Sequence, residues 1–360
     1  MMPAGNGVRL AAGPRLGFLG VGWIGRNRME SIFDSGLGEA CAICDPSAEM
    51  MAAARTIAPT ALPVDTLQQL LDLRLDGIVI ATPSAVHAEQ SVQALASGAA
   101  VFCQKPLGRN LGEVEAVLQA ARGSDRLIGV DFSYRHTVAM QTILSLLRDD
   151  GIGDVYAADL VFHNAYGPDK PWFYDAALSG GGCVMDLGVH LVDLLLWTLD
   201  FPAVNSVHAS LFSNGRKAAR GEVEDYAVAT LSVGSGQVAR LACSWRLHAG
   251  CDAVIEATFH GTKGALRFSN VNGSFYDFQA ELRHGTRREV LVSPPDSWGG
   301  RAIQEWARRL ARNRGYDPDA EQFARVAEVL DRIYGIERCE ADGTRDDRSL
   351  RRTSDQEPAA

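Results

Sequence analysis

An apolar run at residues 15–20 leads directly into Gly20, Val21, Gly22, Trp23, Ile24 and Gly25, and the segment after it, 26–33, suits a helix. Glycines at this spacing between a strand and a helix leave few folds open. The first permits a tight turn, the second lets backbone approach a bulky anion, and the third lets helix and strand pack closely. The helix start then offers unpaired N–H groups and the positive end of its dipole to a pyrophosphate. A second apolar run, 39–44, ends at Asp45, twenty residues beyond Gly25. A dinucleotide fold places an acid there for the ribose hydroxyls. Pro46 and Ser47 follow, with no Arg beside them to hold a 2′-phosphate, so the pattern favours NAD over NADP. The plainer reading of Asp45 is a helix N-cap.

Further strands are expected at 77–82, ending on Thr82, at 100–105, ending on Lys105, and at 127–132. Alternation with helical segments indicates βαβ units and a parallel sheet, whose strand ends form one ligand-binding edge. Only four of the 35 basic residues are lysines, and one of them, Lys105, stands at a strand end immediately before Pro106. An ammonium can address a single oxygen and shift its pKa, which a guanidinium does less readily. A solvated surface lysine is the alternative.

The second half begins with an expected helix at 140–147, a strand at 154–164 and a loop at 165–178 rich in Gly, Pro and aromatic residues. Gly180, Gly181 and Gly182 precede a helix at 184–199. Its Asp186, His190, Asp193 and Trp197 fall on one stripe among leucines. Asp186 and His190 are four residues apart, close enough on a regular helix for the carboxylate to orient the imidazole as a general base. The rival readings are a structural His–Asp pair and a metal site. No second His or Cys stands at supporting spacing, and no metal is expected. Strands follow at 206–212, 226–233, 237–245, 253–260, 265–268 and 288–292, with a hairpin across 234–236, and then helices at 301–312 and 319–338. The division expected is a tail at 1–14, a first domain at 15–135, a second at 136–338, and a charged, disordered tail at 339–360.

The formal net charge of −9 argues against a broad footprint for nucleic acid or an anionic membrane. The longest apolar runs fall short of the roughly 18 residues that span a bilayer. Residues 1–14 do not read as a signal peptide, so a cytoplasmic protein with a small-molecule partner is expected. Seven cysteines, an odd number, suggest no disulfide framework. Cys41 and Cys44 form a C-x-x-C, but on a strand they point to opposite faces and read as core thiols.

Taken in order, Gly20 to Gly25, Thr82-Pro83 with His87, Lys105-Pro106, Gly180 to Gly182 with Asp186, Gly188, His190 and Asp193, the run Glu224, Asp225, Tyr226, and the run 261–264 resemble the glucose-fructose oxidoreductase/inositol dehydrogenase family. The likeness covers residues 15–338. It implies an α/β chain: an N-terminal Rossmann domain with a doubly wound parallel sheet, and a C-terminal α/β domain with an open, mainly antiparallel sheet used for homo-oligomer formation. It implies NAD, with NADP possible, held along Trp23, Ile24, Thr82, Pro83, His87, Gln104 and Lys105. Its activity would be oxidation or reduction of a sugar or cyclitol carbon, with Lys105 on the reacting oxygen, His190 as base and Asp186 orienting it. The family usually reads Glu-Lys-Pro where this chain has Gln104-Lys105-Pro106, so a carboxylate near the lysine is expected to be missing. Arg135, Asn164 and Trp172 are candidate substrate-wall residues. Two other functions compete: an enzyme that retains NAD and cleaves or eliminates by transient oxidation, and a non-catalytic dinucleotide or sugar sensor.

Overall fold

The computed structural model describes residues 13–336. Residues 1–12 of the expected first tail, the end of the expected last helix and the charged tail at 339–360 lie outside the described residues. Six parallel strands form the first sheet: β1 (Arg15–Leu19), β2 (Glu39–Cys44), β3 (Leu62–Val64), β4 (Gly77–Ile80), β5 (Ala100–Cys103) and β6 (Ile128–Val130). They are arranged β3-β2-β1-β4-β5-β6, the doubly wound order. The central strands β4 and β5 are buried at every position, as strands covered on both faces must be. Five helices connect the strands: α1 (Trp23–Ser35), α2 (Ala48–Ile57), α3 (Leu67–Asp72), α4 (Ser84–Ala96) and α5 (Leu111–Ser124). Ser47, Thr66 and Asn110 cap α2, α3 and α5 with side-chain oxygens on backbone N–H groups. The short β3 was not anticipated.

After α6 (Val138–Arg148), the second sheet opens with β7 (Val155–Asn164). A short helix α7 (Ala176–Ser179), a π-helical turn (Val184–Gly188) and α8 (Val189–Thr198) follow. The remaining strands are β8 (Val204–Ser213), β9 (Arg216–Lys217), β10 (Tyr226–Val233), β11 (Gln237–Ser244), β12 (Ala253–Gly261), β13 (Ala265–Asn270), β14 (Phe278–His284) and β15 (Arg287–Val292). Their order is β15-β14-β13-β12-β7-β11-β10-β8-β9, antiparallel except where β7 runs parallel to β11. The expected hairpin across 234–236 pairs Val233 with Gln237. β9 and β14 were not foreseen. Alternate residues of β10 are buried, so one face of this sheet packs on helices while the other stays open.

The chain closes with α9 (Arg301–Arg312) and α10 (Gln322–Ile333). The sequence pattern grouped α9 with the second half, yet it lies on the first sheet. Its Ile303, Trp306, Ala307 and Leu310 share a core with Leu16, Phe18 and Phe102. A separate continuous core joins β4 and β5 to α8, β7 and α10, so the two sheets share an interior. The helical stretch Ala176–Thr198 is longer than the apolar runs visible in the sequence and could cross a membrane by length and composition alone. Here 83% of its most apolar window is buried inside the protein, which makes it a core helix. Cys41 and Cys44 are free thiols of β2, both held above the usual thiol range chiefly by burial.

Trp306 is 4% exposed, with its ring 5.7 Å from that of Phe102. Trp306→Ala is therefore expected to cost about 3–5 kcal/mol through the cavity it leaves. The measurement is chemical denaturation of the full chain; a loss below 1 kcal/mol would mean that α9 is a loose flap.

Candidate active site

The glycine loop fits a dinucleotide. Gly20 sits at φ +82°, and a Cβ there would lie 2.6 Å from the Ala81 carbonyl, while one on Gly25 would lie 2.1 Å from the Gly20 oxygen. Gly22 has open space around its Cβ position, and α1 starts after it with neither a side-chain cap nor an acid in its first turn. That leaves bare N–H groups and open room where a pyrophosphate would rest. Asp45 stands at the end of β2. Its Oδ2 accepts the Val21 N–H at 2.8 Å and its Oδ1 accepts the Ser47 N–H at 2.9 Å, which locks the loop's shape. The cap of α2 is Ser47, not Asp45. No Arg neighbours Asp45 in sequence, but the fold brings the Arg26 guanidinium to the Val21 carbonyl and to Met50 Sδ at 3.1 Å.

A cavity of about 650 Å³ opens from this loop into the space between the two sheets. Trp23, Ile24, Thr82, His87, Gln104 and Lys105 line its first-sheet side, and Trp172, Asp186 and His190 face them. Pro83 ends the β4 turn and sits at the start of α4. The His87 ring nitrogens lie 2.7 and 2.6 Å from the carbonyl oxygens of Pro106 and Thr82, so this buried ring fills the space between the ends of β4 and β5 and, in its neutral form, donates to one of the two.

Lys105 Nζ donates to the Asp186 carbonyl at 2.8 Å and to its Oδ1 at 2.7 Å, while Trp245 Nε1 donates to Oδ2 at 3.1 Å. The Asp186 carboxylate is thus engaged on both oxygens, and neither bond goes to His190. The expected Asp186–His190 pair is not formed. Residues 184–188 form a π-turn in which the Val189 N–H reaches back to the Val184 carbonyl, and the Asp186 carboxylate is held by Lys105 and Trp245 instead. The turn is held from its start. Glu224, fully buried, accepts the Gly182 and Val184 N–H groups at 3.0 and 2.8 Å and the Tyr334 hydroxyl at 2.9 Å.

The His190 ring makes no hydrogen bond to a described residue. It packs edge-on against Tyr134, with ring centroids 4.8 Å apart, and beside Phe162. Burial, and then the Lys105 charge, hold its pKa well below the ordinary 6.5, so the imidazole is neutral at pH 7. Tyr134 also lines the cavity, its hydroxyl without a partner among the described residues, and burial raises its pKa. Nothing in the spacing around Tyr134 singled it out.

Two of the expected wall residues are elsewhere. Arg135 is paired with Asp193, its Nε 2.9 Å from Oδ2, and its guanidinium lies over the rings of Phe132, Trp197 and Phe201. That pair also occupies the second acid of the metal reading. No cluster of three metal-ligating side chains occurs among the described residues. Asn164, at the end of β7, is outside the cavity lining and leaves its Oδ1 buried without a partner. Trp172 does line the cavity.

The carboxylate expected to be missing at position 104 has two counterparts. Asp186 pairs with Lys105, and Asp131, 2% exposed, accepts Gln104 Nε2, Arg28 Nε at 2.5 Å and the Ser133 hydroxyl. Gln104 is therefore a donor that this carboxylate requires. Gln104→Glu sets two carboxylates against each other and is expected to cost about 1–3 kcal/mol at pH 8, shrinking toward pH 5 as the pair shares a proton. Adding Asp131→Asn should restore most of the urea midpoint; no recovery would mean that the two side chains do not interact.

Residues 15–132 match the oxidoreductase family with an NAD-binding Rossmann fold, and residues 140–267 match the GFO/IDH/MocA C-terminal domain. Among curated relatives, D-glucoside 3-dehydrogenase of Escherichia coli is 24% identical over 309 residues, covering 82% of this chain and 87% of the relative. The 1,5-anhydro-D-fructose reductase of Ensifer adhaerens is 28% identical, covering 71% and 76%. Among solved structures, levoglucosan dehydrogenase with NADH superposes with a TM-score of 0.76 at 19% identity, covering 90% of this chain and 96% of that one. A 3-ketoreductase from Actinomadura kijaniata in complex with NADP and TDP-benzene gives 0.77 at 20% identity, covering 90% and 97%. The two family matches take in both halves of the fold, with Lys105 in one and Asp186 and His190 in the other: the chain belongs to the GFO/IDH/MocA family of NAD(P)-dependent oxidoreductases.

Proposed function

We propose that this protein moves a hydride between NAD and a sugar, cyclitol or sugar-derived alcohol carbon, with Lys105 on the reacting oxygen and His190 as the base. The observation that carries the reading is the pairing of unspent groups. The His190 ring is neutral and unbonded among the described residues, and Lys105 has used two of its three N–H donors, so both have capacity left toward one guest in a cavity that begins at the glycine loop. A bound nicotinamide would supply the hydride acceptor. His190 takes the hydroxyl proton, and Lys105 donates to the oxygen as negative charge grows on it. Asp186 acts here on Lys105, steering the ammonium rather than the imidazole.

Relatives named for D-glucoside, 1,5-anhydro-D-fructose and inositol support a carbohydrate substrate. We assign NAD in preference to NADP because the Asp45 carboxylate, fixed by Val21 and Ser47, repels a 2′-phosphate. The free thiols suit a cytoplasmic location. The open face of the second sheet, where Val228 and Val238 are exposed, is our candidate contact in a homo-oligomer.

Lys105→Ala is expected to lower kcat about 10²–10³-fold, the usual cost of one donor to a developing oxyanion, with NADH affinity little changed. Stopped-flow turnover and NADH titration decide it, and equal losses in both would reduce the lysine to a cofactor anchor. For oxidation, kcat/KM should stay level from pH 8 down past 6.5 and fall only below that, because the folded imidazole protonates later than a free one. Stability has the same sign. Below pH 6.5 the unfolded chain protonates at position 190 and the folded chain does not, so acid favours unfolding there. A rate that falls already between pH 8 and 7 would remove His190 from the role of base.

A further inference from the structure

The substrate half of the cavity is walled by rings. Trp172 and Phe173 come from the loop before α7, Phe275 and Tyr276 from the turn before β14, Trp298 from the turn before α9, and Tyr134 from the segment after β6. Trp172 and Phe173 stack with centroids 3.8 Å apart and planes 20° apart, and Tyr134 and Trp298 stack at 5.2 Å and 29°. Tyr276 stays 60% exposed, and its carbonyl accepts the Trp298 indole N–H at 2.8 Å, which joins the turns before β14 and α9.

The polar side chains in this half are mostly committed to the protein. Asp131 is bonded to Arg28, Gln104 and Ser133; Asp296 to the Arg301 guanidinium and the Val138 N–H. The Ser179 hydroxyl, between the Asp175 and Gly181 carbonyls, spends its one proton there, and Asp186 serves Lys105 and Trp245. What remains for a guest is one donor on Lys105, the His190 ring, the hydroxyls of Tyr134, Tyr276 and Ser297, and the Trp172 indole N–H, set among rings. A guest with a large flat apolar part would meet the walls on their own terms.

Resting on the hydride-transfer reading above, we propose that the substrate is a glycoside of an aromatic alcohol, its sugar hydroxyl at Lys105 and His190 and its aryl aglycone against Trp172, Phe173 and Tyr276. The stacked Trp172–Phe173 pair holds its rings at fixed orientation before any guest arrives. A planar aglycone therefore gains contact without ordering those side chains, a benefit that a puckered or flexible group shares only in part.

The test uses the full chain saturated with NADH and matched methyl, cyclohexyl and phenyl glycosides of glucose, galactose and xylose, titrated by calorimetry. For at least one sugar, the phenyl glycoside should bind about ten-fold more tightly than the methyl and clearly more tightly than the cyclohexyl. Trp172→Ala should bring the phenyl-to-methyl ratio close to one and Trp172→Phe should keep most of it, with thermal melts showing that both variants fold. Equal affinities for phenyl and methyl, equal affinities for phenyl and cyclohexyl, no binding of any phenyl glycoside, or a ratio unmoved by Trp172→Ala would each overturn the proposal. Turnover with NAD, followed separately, keeps the two readings apart. Methyl glycosides oxidised without a phenyl gain would overturn the aryl subsite and leave hydride transfer standing. Phenyl glycosides bound by way of Trp172 but never oxidised would do the reverse.

Discussion

The bond between Lys105 and Asp186 joins the two halves of the molecule at the point where chemistry is to happen. One partner ends a strand of the first sheet and the other lies in the π-turn of the second half, and the ammonium binds both a carboxylate oxygen and a main-chain carbonyl of the same residue. Two such bonds fix position as well as charge. The side chains are only 21% and 16% exposed, so water does little to loosen them. Everything around the pair serves its placement. His87 fills the space between the ends of β4 and β5, Trp245 holds the second carboxylate oxygen, and Glu224 with Tyr334 pins the start of the turn.

What was legible in the sequence depended on features that repeat locally. The glycine loop, Asp45 and the buried strands announced the first sheet because turn geometry, strand burial and helix ends are decided within a few residues. Lys105 stood out by its scarcity and its place at a strand end. Alternation gave most of the second sheet, but β14 escaped: its Gln279, Glu281 and Arg283 look like surface chemistry, whereas Glu281 is fully buried among Arg267, Arg283 and Arg288. Charged side chains that neutralise one another inside a sheet break the pattern on which strand reading depends.

The site was legible as a list of residues and less so as a set of contacts. The spacing from 184 to 199 reads as one regular helix, whereas a π-turn opens it and Asp186 meets Lys105, 81 residues away in sequence, instead of His190. Gln104, read as a lost charge, faces a carboxylate from the next strand end, 27 residues on. Arg135 looked like a wall residue because it lies near the others in sequence, but a buried Asp193 and three aromatic rings draw it away. The aromatic walls come from loops with no periodicity at all, so nothing short of the fold could have assembled them. In each case the missing information was long-range: which groups a side chain meets once distant segments are brought together.

The position of α9 bears on how the chain is made. Synthesis runs from the N-terminus, so β6 completes the first sheet about 180 residues before α9 is finished, a delay of roughly ten to forty seconds at ordinary elongation rates. During that interval the face that Ile303, Trp306 and Leu310 will cover is bare, although every strand of its sheet already exists. The nascent protein thus carries an apolar patch that its own later sequence must reach before another chain does, and the second half has to fold while the first is still open.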